Sequence, residues 1–148
     1  MKKLVILIFI FILISGCTEK PEIEFLDSLE SGDKNFVCFA VFGKDGETIL
    51  GAFVKYQANL SAAEWSEKIC RAKNIAFVHS GAGALYYVKG INNLFEYDEG
   101  PESGWVYSVN CEFTGLGSGS YIIQPGDYLV WHYTLDLGKD VGAEAVKE

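Results

Sequence analysis

From Gly104 to Asp140 the chain reads GWVYSVNCEFTGLGSGSYIIQPGDYLVWHYTLDLGKD, two alternating apolar runs joined through a Gly/Ser loop. Side chains on a strand alternate between faces, so a period of two commits each run to a pleated strand with one buried side. In the first run, Trp105–Phe113, the residues Trp105, Tyr107 and Val109 share one face, and Val106, Ser108 and Asn110 share the other. The second run, Tyr121–Leu135, is interrupted by the turn Pro125-Gly126-Asp127. In it Leu129, Trp131 and Tyr133 form another aromatic row, with His132 pointing the opposite way. Rows this rich in rings are expected to form a core packed against a helix.

The rest of the chain supplies that helix and more strand. Asn35–Gly43 is apolar on both alternating faces, the mark of a strand buried in the middle of a sheet. Lys44-Asp45-Gly46 is a tight turn, and Thr48–Tyr56 returns as the second strand of a hairpin. Ser61-Ala62-Ala63-Glu64 is a capping box, and Leu60 and Trp65 sit at the positions of a hydrophobic staple. A helix is therefore expected from about Ala62 to Lys73, with Trp65, Ile69 and Ala72 inward and Cys70 at the edge of their stripe. Ile75–His79 and Leu85–Val88 are short strand candidates around Ser80–Gly83. The expected fold is α+β and β-grasp-like: a mixed sheet of short strands with one helix packed across the N-terminal hairpin.

The N-terminus points to the cell envelope. Lys2 and Lys3 precede an apolar run, Leu4–Ile14, that is short for a membrane span. Its exit, Ile14-Ser15-Gly16-Cys17, resembles the lipobox of prokaryotic lipoproteins. That resemblance implies removal of residues 1–16, lipidation of Cys17 and attachment to a membrane on its extracytoplasmic side. Residues 17–34 then read as the lipidated N-terminus and a polar tether, 35–140 as the domain, and 141–148 as a charged tail. Removal of residues 1–16 leaves 10 basic residues against 20 acidic ones, a net charge of −10. Such a surface repels phosphates and argues against nucleic acid as a partner.

The order Gly-Trp-x-Tyr-Ser-Val-Asn, a Gly-rich loop, Tyr, Gly-Asp, Trp-x-Tyr-Thr and Asp-Leu-Gly-Lys-Asp resembles the DUF4430 family. These small extracytoplasmic domains are related to the C-terminal domain of the cobalamin carriers transcobalamin and intrinsic factor. The resemblance spans roughly Phe36–Asp140 and implies a β-grasp fold with a noncatalytic binding role. In the carriers this domain caps one side of the corrinoid and a separate helical domain holds the other. These 148 residues hold no such helical domain, so the chain is expected to supply at most half of such a site. The family follows Val-Asn with Gly, where this chain has Cys111.

A search for catalytic chemistry finds none. His79 and His132 have no carboxylate or cysteine beside them at metal-ligand spacing, and neither metal nor cofactor is expected. Gly115-Leu116-Gly117-Ser118-Gly119 lacks the strand-to-helix elbow of a nucleophile motif. Asp136 and Asp140 are read as a structural turn, since calcium wants six or more oxygens. Tyr86 and Tyr87 fall in or beside loops, where rings suit a flat ligand or a protein surface. Tyr86, Tyr87, Trp105, Asn110, Gly115 and Gly117 are the expected ligand contacts. Outside the cytoplasm a disulfide is permitted, and Cys111 is expected to bridge to Cys38 or to Cys70. Two functions follow: a lipid-anchored binding module for a corrinoid-like small molecule with a partner protein, or a structural or adhesive module that docks an envelope protein.

Overall fold

The computed structural model describes residues 23–143. The signal segment, the lipidation site at Cys17 and most of the charged tail lie outside the described residues. The elements in chain order are β1 (Phe25–Leu26), β2 (Phe36–Phe42), β3 (Thr48–Lys55), α1 (Ala62–Ala72), β4 (Phe77–Ser80), β5 (Tyr87–Ile91), β6 (Leu94–Phe95), β7 (Gly104–Val109), β8 (Glu112–Phe113) and β9 (Tyr128–Thr134). They build a six-stranded sheet of order β1-β3-β2-β9-β7-β8 and a three-stranded sheet of order β4-β5-β6. The α+β class expected from the sequence is the class observed. Among the described residues no helix is long and apolar enough to cross a membrane.

The apolar run Phe36–Phe42 lies centrally because it is covered on both edges. It pairs antiparallel with β3 (Val37↔Val54, Phe39↔Ala52) and parallel with β9 (Phe39↔Leu129, Val41↔Trp131). Val37, Phe39 and Val41 are fully buried on the inner face, where they meet Leu129 and Trp131 and, from β7, Val109. Helix α1 covers this face. Its capping box is formed: the Glu64 N–H donates to Ser61 Oγ at 3.3 Å and the Ser61 N–H to Glu64 Oε2 at 2.8 Å. Trp65 and Ile69 are fully buried in the shared core. Burial of a side chain of this size contributes about 1.5–3 kcal/mol. The Trp131 indole N–H donates to Ser66 Oγ at 2.7 Å, which ties the sheet centre to the helix.

Besides the run Trp105–Phe113, which turns at Asn110 and Cys111 from β7 into β8 instead of forming one strand, three expectations are corrected. The run Tyr121–Leu135 is a strand only after its Pro-Gly turn. Before the turn it makes a single bridge, Ile122 to Ser61, because the Ala62 N–H donates to the Tyr121 carbonyl and holds this stretch against the start of α1. The stretch read as a tether contributes β1, whose Phe25 and Leu26 pair with Val54 and Phe53. There the Lys73 ammonium lies 3.8 Å from the centre of the Phe25 ring, and Lys55 pairs with Glu24 at 2.9 Å.

The disulfide is the third. Cys38, Cys70 and Cys111 are all free thiols. Cys38 neighbours Tyr128 on one side of β9, while Asn110, next to Cys111, meets Tyr128 from the other. Two strand spacings, roughly 9.5 Å, separate those positions, beyond the reach of a disulfide. Cys70 is fully buried on the helix side of the sheet, whereas Cys38 alternates onto the opposite face and Cys111 sits exposed in a turn.

Candidate functional site

The two sheets leave a gap between β5 and β7, and in it lies a cavity of about 300 Å³. One wall is Tyr86, Tyr87 and Val88; the facing wall is Trp105, Val106 and Tyr107. Trp131 contributes from the central strand, and Phe113, Thr114 and Ser118 close one end. Leu137 and Ala143 stand at its margin. None of these side chains carries a charge at neutral pH.

Each ring is held by a defined contact. The Trp105 indole N–H donates to the Leu94 carbonyl at 2.9 Å, and its ring meets Tyr133 edge-on at 5.2 Å. The Tyr107 hydroxyl donates to the Leu116 carbonyl at 2.6 Å and lies 2.8 Å from Thr114 Oγ1, which anchors the Gly-rich loop to the wall. Tyr86 stacks on His79 with centroids 4.2 Å apart and 14° between planes. The Tyr87 hydroxyl donates to Glu96 Oε2 at 2.6 Å.

These phenols stay neutral. The hydrogen bond to Glu96, aided by burial, pushes Tyr87 up to about 12. Burial, with Glu67 and Glu64 nearby, raises Tyr86, and burial raises Tyr107. Among the described residues the Tyr86 hydroxyl, which lies toward Glu67 and Glu64 of α1, and Nδ1 of the stacked His79 have no hydrogen-bond partner.

Of the residues expected from the sequence, the structure brings together Tyr86, Tyr87 and Trp105. It does not bring Asn110, Gly115 or Gly117 to the cavity walls. Asn110 is occupied in holding two turns together: its Nδ2 donates to Asp127 Oδ1 at 2.8 Å, and its Oδ1 accepts from the Tyr128 N–H at 3.0 Å. The loop glycines serve close packing: a Cβ on Gly119 would lie 2.1 Å from the Gly83 carbonyl oxygen, and one on Gly117 3.3 Å from that of Ala84. The loop thus rests on the segment that leads into Tyr86.

Tyr107 and Trp131 are the residues that sequence reasoning assigned to the core alone. They are core residues, and they also face the gap, because the inner face of the large sheet extends beyond the helix that covers it. Phe113 was read only as the end of the run Trp105–Phe113, and Leu137 had no sequence signal as a cavity residue.

The other polar clusters among the described residues are structural. Among the described residues no group of three or more His, Cys, Asp or Glu side chains is placed to hold a metal ion. Asp140 accepts from the Thr134 hydroxyl and from the Leu135 N–H, and Asp136 pairs with Lys139 at 3.1 Å. The Asp-Leu-Gly-Lys-Asp segment is therefore a self-satisfied turn. His132 lies on the outer face between Phe42 and Phe113, 3.1 Å from Ser108 Oγ, and burial lowers its pKa.

The family model described as a domain of unknown function, DUF4430, matches residues 61–134. This span includes α1, both walls of the cavity and the central strand β9. No curated protein matches the chain by sequence. Among solved structures, haptocorrin in complex with Cbi is similar at 18% identity with a TM-score of 0.58, over 70% of this chain and 26% of that one. A "putative metal binding protein" from Ruminococcus gnavus ATCC 29149 is similar at 9% identity with a TM-score of 0.52, over 68% of this chain and 96% of that one. At such identities the likeness concerns the fold.

Proposed function

The chain belongs to the DUF4430 family, and from that premise we propose that it is a noncatalytic binding module for an uncharged, ring-containing small molecule. One observation carries the reading: the gap between β5 and β7 is lined by six aromatic residues and bears no charged side chain. Such walls offer ring faces and desolvation to a flat ligand, and no carboxylate, histidine, lysine or cysteine side chain lines the gap. The fold shared with haptocorrin supports a corrinoid-like molecule as the ligand class. Because the chain spans only 26% of haptocorrin, a partner protein would complete the site. The lipobox-like Ile14–Cys17 supports attachment to the membrane through a lipidated Cys17, with the domain on the extracytoplasmic side.

Titration of the full chain in detergent with cobinamide and with cobalamin, followed by tryptophan fluorescence and calorimetry, tests the reading. The expected result is binding with Kd in the micromolar-to-millimolar range and quenching of Trp105 and Trp131. Binding of both weaker than millimolar would remove the corrinoid class.

A second reading, an adhesive or structural module, rests on the outer face of the large sheet. There Phe53 and Tyr128 flank Cys38 and are 36% and 48% exposed among the described residues. Exposed apolar surface on a sheet suits an envelope protein as partner. Retention of the protein in its membrane complex after Phe53→Lys, at an unchanged melting temperature, would oppose it.

A further inference from the structure

Strand β7 has an open edge. The Asn110 N–H donates to the Tyr128 carbonyl, which sets the alternation of the β7–β9 ladder. In an antiparallel pair only every second residue exchanges hydrogen bonds with the partner. Val106 and Ser108 therefore spend their main-chain groups on β9, while Trp105, Tyr107 and Val109 direct theirs away from it. On that far side β8 pairs only with Ser108 and Val109. The N–H and C=O of Trp105 and Tyr107 have no partner there among the described residues.

The edge opens onto the cavity. Val106 lines it together with Trp105 and Tyr107, and three consecutive residues alternate in face, so what they share with the gap is their backbone. The gap is thus bordered by unpaired main-chain donors and acceptors as well as by rings.

We propose that this gap receives an extended peptide segment that pairs with Trp105 and Tyr107 and continues β8 end to end. The chain itself supplies the precedent: Glu112 and Phe113 already occupy the first two positions of such an added strand. Strand addition draws its affinity from main-chain hydrogen bonds and its selectivity from the pockets that receive alternate side chains. Here the alternate side chains meet the aromatic walls. The surroundings select the charge of the peptide. Glu96 accepts from the Tyr87 hydroxyl, Glu112 belongs to β8 itself, and the Glu102 carbonyl accepts from the N–H of Leu137 at the cavity margin, while Lys139 is already paired with Asp136. A segment of small apolar residues flanked by lysine or arginine complements that rim. The inference goes beyond the small-molecule reading, because it uses main-chain groups where that reading uses ring faces.

The probe is the acetylated, amidated peptide Lys-Thr-Val-Thr-Val-Lys, added at millimolar concentration to the 15N-labelled full chain in detergent. The expected result is a shift of the Trp105 and Tyr107 amide resonances larger than that of Val106, whose N–H is already bonded. N-methylation of the valine amides in one peptide and of the threonine amides in another should separate them, with one weakened tenfold or more and the other retained. No shift at either residue, or equal binding by both methylated peptides, would overturn the proposal. So would shifts at Trp105 and Tyr107 that follow protein concentration without peptide, which would assign the edge to a second copy. Shifts of the same two resonances on truncation after Ala143, without peptide, would assign it to the chain's own last residues and equally overturn it. Cobinamide titrated in the same spectra reports on the ring faces separately.

Discussion

Asn110 and Asp127 hold two turns of the large sheet together through one hydrogen bond, Nδ2 to Oδ1, at 2.8 Å. Asp127 is 8% exposed, and its other oxygen accepts from the Gln124 N–H at 2.8 Å. The Asn110 amide therefore joins the β7–β8 turn to the turn that launches β9. Loss of this side chain would leave a buried carboxylate short of a partner. Asn110→Ala is expected to lower unfolding stability by about 1–3 kcal/mol, read by urea denaturation. Ligand affinity at the β5–β7 cavity should stay within about twofold, since Asn110 does not line it. A large affinity loss in folded protein would return Asn110 to the site.

Cys111 is the next residue, and its φ is +66°, following Asn110 at +54°. Two consecutive left-handed residues between paired strands make a type I′ turn, for which Asn-Gly is the preferred dipeptide. A β-carbon in this conformation costs about 1–2 kcal/mol. Cys111→Gly is expected to stabilise the domain by about 1 kcal/mol, as a higher denaturation midpoint with an unchanged slope. A neutral or destabilising result would mean that the thiol makes a contact worth more than the strain.

Ser66 relays the helix to the sheet. Its hydroxyl accepts from the Trp131 indole and donates to the Ala62 carbonyl at 2.6 Å, inside a fully buried core. Ser66→Ala leaves the Trp131 N–H unsatisfied in apolar surroundings, at an expected cost of about 1–3 kcal/mol. In a double-mutant cycle with Trp131→Phe the two changes should be clearly non-additive. Additive effects would show that the bond contributes nothing of its own.

The three cysteines differ in reactivity. Exposed Cys111 should react with a thiol reagent in native protein, and Cys70 only after denaturation. Burial pushes the Cys70 thiol up to about 12 from its usual 9.0. The sign follows from proton binding: between these values the folded state holds a proton that the unfolded state has released. Stability from this group is fully present below pH 9 and falls as pH rises toward 12, at up to about 1.4 kcal/mol per pH unit. Cys70→Ala should flatten that alkaline slope. An unchanged slope would assign it to the buried tyrosines, and a total of fewer than three titratable thiols at Cys38, Cys70 and Cys111 would restore the disulfide.

The helix, its cap and the inward rows of β7 and β9 were legible in the chain, whereas β2 read as apolar on both faces and Ala72, expected inward on α1, is exposed. Capping chemistry acts over three residues and strand alternation over two, so both are written locally. Cys111 was conspicuous in the sequence for the same reason, since a turn that calls for glycine advertises any other residue. The cavity was legible in part. Tyr86, Tyr87 and Trp105 stood out as rings near loops or at a strand start, whereas Asn110 and the loop glycines read as ligand contacts though their work is structural. A side-chain amide looks the same in sequence whether it meets a ligand or a neighbouring turn.

By itself the sequence determined the α+β class, the helix with its cap, and the apolar alternation of the long strands, because those properties depend on neighbours a few residues apart. Only the tertiary structure decided that β2 and β9 run parallel at the centre, and that Cys38 and Cys111 lie on opposite sides of β9. It alone placed the edges of β5 and β7 across one gap. Those relations join residues separated by tens of positions, through pairing and packing that no local pattern encodes.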